Sequence, residues 1–233
     1  MGMPWLDEGW MITPEELDSW TLARTPEFIA VNKPGGVVCH RSRYGPWSSL
    51  VGAVRERYGL ERVYLPSRLD RETSGVIVIC LKQQAASLLQ QAAAARRVSK
   101  TYLALLEGVL ENETSVDAPI GKAEGSAVLV KRGIAPGGQP ALTRFIPISN
   151  DGRRTFARII PETGRQHQIR VHAASIGHPV AADKIYGPDE SLYIEFAGRG
   201  WTPRLAAAMP YRRHALHAAR SEERRVGKEC RSR

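Results

Sequence analysis

The run Gly75-Val76-Ile77-Val78-Ile79-Cys80-Leu81 is apolar throughout and dominated by β-branched residues. It is far shorter than the ~20 residues a bilayer crossing needs, and it reads as a buried, central strand. A fold built on it must supply strands on both sides. Glu27-Phe28-Ile29-Ala30-Val31 offers one, Asn32 to Gly36 a turn, and Val37-Val38-Cys39 a returning strand, so a hairpin is expected.

Ser48 or Ser49 is placed to cap a short helix running through Tyr58. Lys82 to Arg97 is rich in Ala, Gln and Leu without a breaker, hence a helix, and Thr101 to Leu106 returns as a strand ending at Gly108. Residues 111–150, with Pro119-Ile120-Gly121 and Pro136-Gly137-Gly138, read as a hairpin-rich insertion lobe carrying strands at Val128 to Val130 and Thr143 to Ile148. Thr155 to Ile160 is a further strand. Thr163-Gly164 then caps a helix expected over Arg165 to Ser175, which Gly177 stops. Strands joined by short hairpins and interrupted by a few helices argue for an α+β fold with mostly antiparallel sheets in two lobes around a cleft, and against a Rossmann repeat. The chain has 233 residues, 42% hydrophobic, enough for one folding unit with a sizeable core.

The formal net charge of +9 favours a polyanionic partner, since Lys and Arg neutralise phosphates and release their counterions. The three cysteines, Cys39, Cys80 and Cys230, include no CxxC pair and fit a reducing compartment. No apolar run of spanning length occurs, and residues 1–20 carry five acidic side chains, so a soluble, cytoplasmic protein without membrane contact is expected.

Three segments carry chemistry. Arg68-Leu69-Asp70-Arg71-Glu72-Thr73-Ser74-Gly75 is a polar loop feeding the rigid apolar strand, a good mount for an accessible carboxylate. Taken alone, the better reading is a surface loop with Asp70 capping a turn. Gly164-Arg165-Gln166-His167-Gln168-Ile169-Arg170-Val171-His172 is the second; as a helix it sets Arg165, Ile169 and His172 on one face and Gln166 with Arg170 on another. The spacing of His167, His172 and His178 does not match a helical zinc pair, so no metal is expected. In Ser99-Lys100-Thr101-Tyr102, an alternating strand makes Tyr102 a half-buried packing residue or, at a cleft, a flat ring for an extruded base.

Arg68-Leu69-Asp70-x-x-Thr73-Ser74-Gly75, Lys100-x-Tyr102, Gly164-Arg165-x-His167-Gln168-Ile169-Arg170-Val171-His172, Gly177-His178-Pro179 and Asp183-x-x-Tyr186-Gly187 together resemble the ordered signature of the RluA-type pseudouridine synthases. Val31-Asn32-Lys33-Pro34-x-Gly36 and Leu216-His217-Ala218 extend the likeness over about residues 27 to 219. The resemblance implies isomerisation of uridine to pseudouridine in structured tRNA or rRNA without cofactor or metal; a monomer is the default expectation. It further implies that Asp70 is the catalytic carboxylate, that Tyr102 stacks on the target uracil and helps remove its C5 proton, and that Arg165 pairs with Asp70. Arg68 would help fill the gap left by the flipped nucleotide, Ile169 would floor the base, and His167 and Arg170 would bind substrate.

Ser67 stands where the family usually has His. Residues 1–26 read as an N-terminal extension too short for a separate RNA-binding domain, and 27–220 as the catalytic domain. Residues 221–233 read as an atypical charged, disordered tail, foreign or frameshifted, in place of an expected core strand. Two other classes remain open: a catalytically impaired RNA-binding protein or RNA chaperone of the same fold, and a glycosidic-bond hydrolase, for which Glu72 and Asp183 are the candidate second carboxylates.

Overall fold

The computed structural model of the protein describes residues 10–40 and 44–223. Thr13 opens α1 (Pro14–Trp20) with a reciprocal capping box to Glu16, and β1 (Thr21–Arg24) follows at once. Then come β2 (Phe28–Lys33), α2 (Leu50–Arg57), β3 (Ser74–Cys80), α3 (Gln83–Ala94), β4 (Val98–Glu107) and β5 (Thr114–Asp117). The short β6 (Ile120–Lys122) and β7 (Arg132–Ile134) form a separate two-stranded hairpin. They precede β8 (Leu142–Asn150), β9 (Arg154–Pro161), α4 (Gln168–Ser175), α5 (Ser191–Arg199), α6 (Pro203–Ala208) and β10 (Leu216–Glu223).

The fold is α+β around one eight-stranded sheet, ordered β1-β2-β3-β10-β4-β9-β8-β5. Every pairing is antiparallel except β10 on β3, so β10 is the seam joining two antiparallel halves. Each half has its own core. Leu17, Ile29, Leu50, Val54 and Ile79 fill one under α1 and α2, and Leu106, Phe145, Ile159, Ile169 and Ala173 fill the other under α4. Leu69 packs against both clusters. The next residue, Asp70, is thereby held at the seam.

Several expectations are corrected. Val37 to Cys39 is not a strand: β1 and β3 already occupy the two edges of β2, and Val37 and Cys39 are buried in the first core instead. Part of the segment read as an N-terminal extension, residues 13–24, packs on the sheet: β1 is its edge strand and Leu17 is fully buried. No separate insertion lobe spans 111–150, since β5 and β8 extend the main sheet. Val128 to Val130 is a turn; the Glu190 carboxylate accepts from Ala127 N–H and the Ser126 hydroxyl, taking the place of a strand partner.

The helix expected from Arg165 begins three residues later. The Gln168 side chain accepts from Arg165 N–H at 2.9 Å and the Thr163 hydroxyl at 2.7 Å and donates to Leu142 O, tying this stretch into a loop. His167, at φ 57°, closes that loop in the left-handed region before α4 starts. At the other end, β10 passes residue 220 and pairs Ser221, Glu222 and Glu223 with Lys100, Ser99 and Val98, so the core strand is present. Its last residues carry charge because only the first part of β10 is sandwiched: β3 pairs with His217 and Ala218 alone. The remainder of the tail reading, 224–233, lies outside the described residues.

Candidate active site

Two elements deliver Asp70. The apolar strand β3 begins at Ser74, and Gly75 adopts φ +114° where any Cβ would collide with the Ala218 backbone of β10. A side chain there would push the seam apart just below the loop. From the other side Lys33, fully buried, donates its ammonium protons to the Pro34, Val37 and Arg71 carbonyls, and Cys39 Sγ donates to Leu69 O. Burial pushes the Lys33 ammonium down to about 8. Behind Asp70, Glu72 accepts from Lys184 Nζ at 2.8 Å and from His214 N–H at 3.1 Å, while His214 Nε2 meets the Thr73 hydroxyl at 2.8 Å.

Asp70, Tyr102, Arg165, Arg68, Ile169, Arg170 and His167 all line one cavity of about 370 Å³. The pairing expected between Arg165 and Asp70 is not made. Arg165 precedes the helix and donates from Nε to Pro140 O, whereas Arg170, one turn into α4, donates from Nη1 to Asp70 Oδ2 at 2.8 Å. The remainder of the Arg170 fork grips Asp183, at 2.6 and 2.8 Å, and Asp183 Oδ1 also accepts from the Ile185 and Tyr186 N–H groups. Burial alone would weaken the Arg170 cation, but the two carboxylates hold it charged more firmly than in water. Asp183 is driven well below the usual carboxylate range by that same contact, against the opposing effect of burial.

Burial alone would likewise raise Asp70, and the neighbouring positive charge overcomes it, leaving the carboxyl below its ordinary value. Arg170 supplies that charge at neutral pH, because burial pushes His167 and His214 down to about 4 and so leaves both imidazoles uncharged. Asp70 is thus ionised with one oxygen, Oδ2, engaged and Oδ1 facing His167 Nε2 at 3.8 Å. The Tyr186 hydroxyl oxygen accepts from Arg132 N–H and lies 2.8 Å from His167 Nδ1, so Tyr186 and Asp70 flank the two ring nitrogens of His167.

Tyr102 is 9% exposed on the cleft side of β4, and burial, followed by the Asp70 charge, pushes its phenol up to about 12. At neutral pH it is a protonated phenol and a flat apolar face. The remaining histidines of the signature are structural: His172 bonds Thr143 Oγ1 and Ala118 O, and His178 bonds Glu107 O. Glu72 and Asp183, the carboxylates a hydrolase would require, are both committed, to Lys184 and Arg170.

The two buried imidazoles predict an acid limb in stability. Each protonates near 6.5 when unfolded but only near 4 when folded, so between those values the unfolded chain binds more protons and stability falls as pH falls. The urea midpoint is expected to decline as pH falls from 6.5 to 4.5. His214→Gln should flatten that decline; an unchanged slope in this variant would show that His214 is not buried neutral.

The sequence and the fold have counterparts in known proteins. The family described as RNA pseudouridylate synthase matches residues 27–175. An uncharacterized RNA pseudouridine synthase of Chloroflexus aurantiacus is 37% identical over 69% of this chain and 52% of its own length. The tRNA pseudouridine synthase C of Pasteurella multocida is 34% identical over 71% of this chain and 73% of its own. Among solved structures, human RNA pseudouridylate synthase domain containing 1 superposes with a TM-score of 0.65 at 26% identity, covering 85% of this chain and 75% of that one. The chain spans only about half to two thirds of the length of the first curated relatives it matches. The matched range takes in Asp70, Tyr102, His167 and Arg170, the fold is that of a pseudouridylate synthase, and the chain belongs to the RluA-type RNA pseudouridylate synthase family.

Proposed function

We propose that the protein isomerises specific uridines of structured tRNA or rRNA to pseudouridine, with Asp70 as the catalytic carboxylate. The observation that carries this reading is the ionised Asp70, held by Arg170 on one oxygen and open on the other, beside the face of Tyr102 in a cavity of about 370 Å³. A nucleobase and its ribose fit that volume once extruded from the stack, at a cost of a few kcal/mol that stacking on Tyr102 offsets.

The reaction breaks the N1–C1′ bond, turns the uracil, forms the C5–C1′ bond, and moves one proton from C5 to N1 overall. Asp70 Oδ1 is the reacting oxygen, either attacking C1′ or taking the C2′ proton, because Oδ2 is occupied by Arg170. Arg68, Lys100 and Arg165 around the same cavity supply phosphate contacts, in keeping with the net charge of +9.

The test is release of tritium from tRNA and rRNA transcripts labelled at uracil C5, with pseudouridine recovered in the chain. RNA binding without release at high enzyme concentration would support the impaired RNA-binding alternative, and free uracil would support a hydrolase. Tyr102 is expected to act through its ring: Tyr102→Phe should bind RNA as wild type does, and Tyr102→Ala should bind about tenfold more weakly or worse. Equal loss in both variants, measured by fluorescence anisotropy, would transfer that role to the hydroxyl.

A further inference from the structure

A second cavity, of about 580 Å³, opens on the other side of Asp70. It shares Arg68, Leu69, Asp70, Gln166, His167 and Arg170 with the first, so the two are adjoining chambers separated by the Asp70–Arg170 pair. Its far wall differs in character. Tyr193, Phe196 and Ala197 lie on one face of α5 by their spacing of three and four, with Val130 beside them. Val130 is 43% exposed, which makes this wall an accessible apolar surface next to a cationic rim.

Gln166 stands in the wall common to both chambers. Its Oε1 accepts two hydrogen bonds from Arg132, at 2.9 Å from Nε and 2.6 Å from Nη2. Arginine only donates, so the orientation of the amide is determined without ambiguity. The two Nε2 protons have no hydrogen-bond partner among the described residues and remain available to an acceptor.

Resting on the proposed uridine isomerisation, we infer that the second chamber receives the base of the nucleotide adjoining the target uridine. Its face lies on the Tyr193–Phe196 side of α5, and an acceptor on its edge is read by Gln166 Nε2. The occupant follows from continuity: a strand that delivers one nucleotide to the first chamber passes the shared wall, and its neighbour is within one nucleotide's reach of the second. A base supplies what this chamber offers partners for, an aromatic face and an acceptor edge. Arg132, on the β6–β7 hairpin, acts as a positioning residue for the amide.

The test uses purified full-length protein and a pool of unmodified tRNA, rRNA and randomised-loop hairpin transcripts, with pseudouridines mapped by carbodiimide treatment and reverse transcription. At one flanking position wild type is expected to prefer uracil or guanine, whose O4 or O6 accepts, over cytosine or adenine, which carry an amino group there. Gln166→Ala should reduce that preference by about fivefold. In Gln166→Glu, Arg132 still takes one oxygen and the other becomes an acceptor, so the preference should move toward bases presenting an amino group. Tyr193→Ala should raise KM for all sequences without altering the preference. A flanking preference unchanged in both Gln166 variants overturns the inference, and a uniform rise in KM without change of preference in them assigns the chamber to a phosphate instead. If wild type makes no pseudouridine in any transcript, the isomerase reading itself fails, a result distinct from either.

Discussion

Asp70→Asn is expected to lower tritium release from C5-labelled RNA by at least about a thousandfold while leaving RNA affinity and the urea midpoint nearly unchanged. The carboxamide has the shape of the carboxylate, and its oxygen still accepts from Arg170 Nη1, so the loop between Leu69 and Thr73 keeps its anchors. What it loses is the negative charge on Oδ1, the oxygen left open to substrate. Without that charge neither attack on C1′ nor removal of the C2′ proton is available. Asp183 remains to neutralise Arg170, so the substitution leaves no buried charge unpaired. A variant within tenfold of the wild-type rate would sink the assignment of Asp70.

Arg170→Met is expected to cost about 3–5 kcal/mol of stability and to remove activity together. Arg170 is 5% exposed and bridges two carboxylates, one of them fully buried, so its loss strands Asp183 without a counter-charge. Asp183 keeps its backbone donors, Ile185 and Tyr186 N–H, but these do not replace a cation. Adding Asp183→Asn to Arg170→Met should recover most of the stability in urea titrations, because the amide oxygen still accepts from both backbone groups and the fully buried charge is gone, while the unpaired Asp70 side chain, 26% exposed, still reaches solvent. Activity should not return, since Asp70 still lacks its partner. Arg170→Lys should retain partial activity with the acid limb of its pH–rate profile moved upward, because one ammonium cannot grip both carboxylates and Asp70 drifts back toward its ordinary value. Recovery of activity in the double variant would show that Arg170 serves only the fold.

The local elements were largely legible. The apolar run became β3, Ser49 caps α2 by accepting from Gly52 N–H, and the breaker-free Ala/Gln/Leu stretch became α3. These depend on side chains close in sequence, where periodicity and capping act directly. Misreadings arose where a distant group intervened. Glu190 captured residues 126–127, and the Gln168 side chain, bound to Leu142 and Thr143, delayed the helix past Arg165. The ion pair was a separate misreading: the resemblance implied Arg165 as the partner of Asp70, whereas Arg165 lies before the helix and donates to Pro140 O, and Arg170 meets Asp70.

By itself the sequence determined which residues would gather, through motif order and the resemblance it carries: the seven side chains named from them line one cavity. Only the tertiary structure decided how they are connected. It assigned the partner of Asp70 to Arg170, made Asp183 the buried anchor of that arginine, and set the Tyr186 hydroxyl against His167 Nδ1. It also drew the last strand into the centre of the sheet, despite residues 221–223 having no apolar alternation. The physical reason is that a charge pair or a strand pairing is settled by distance and burial, and both depend on which remote segments the two cores bring together around Leu69.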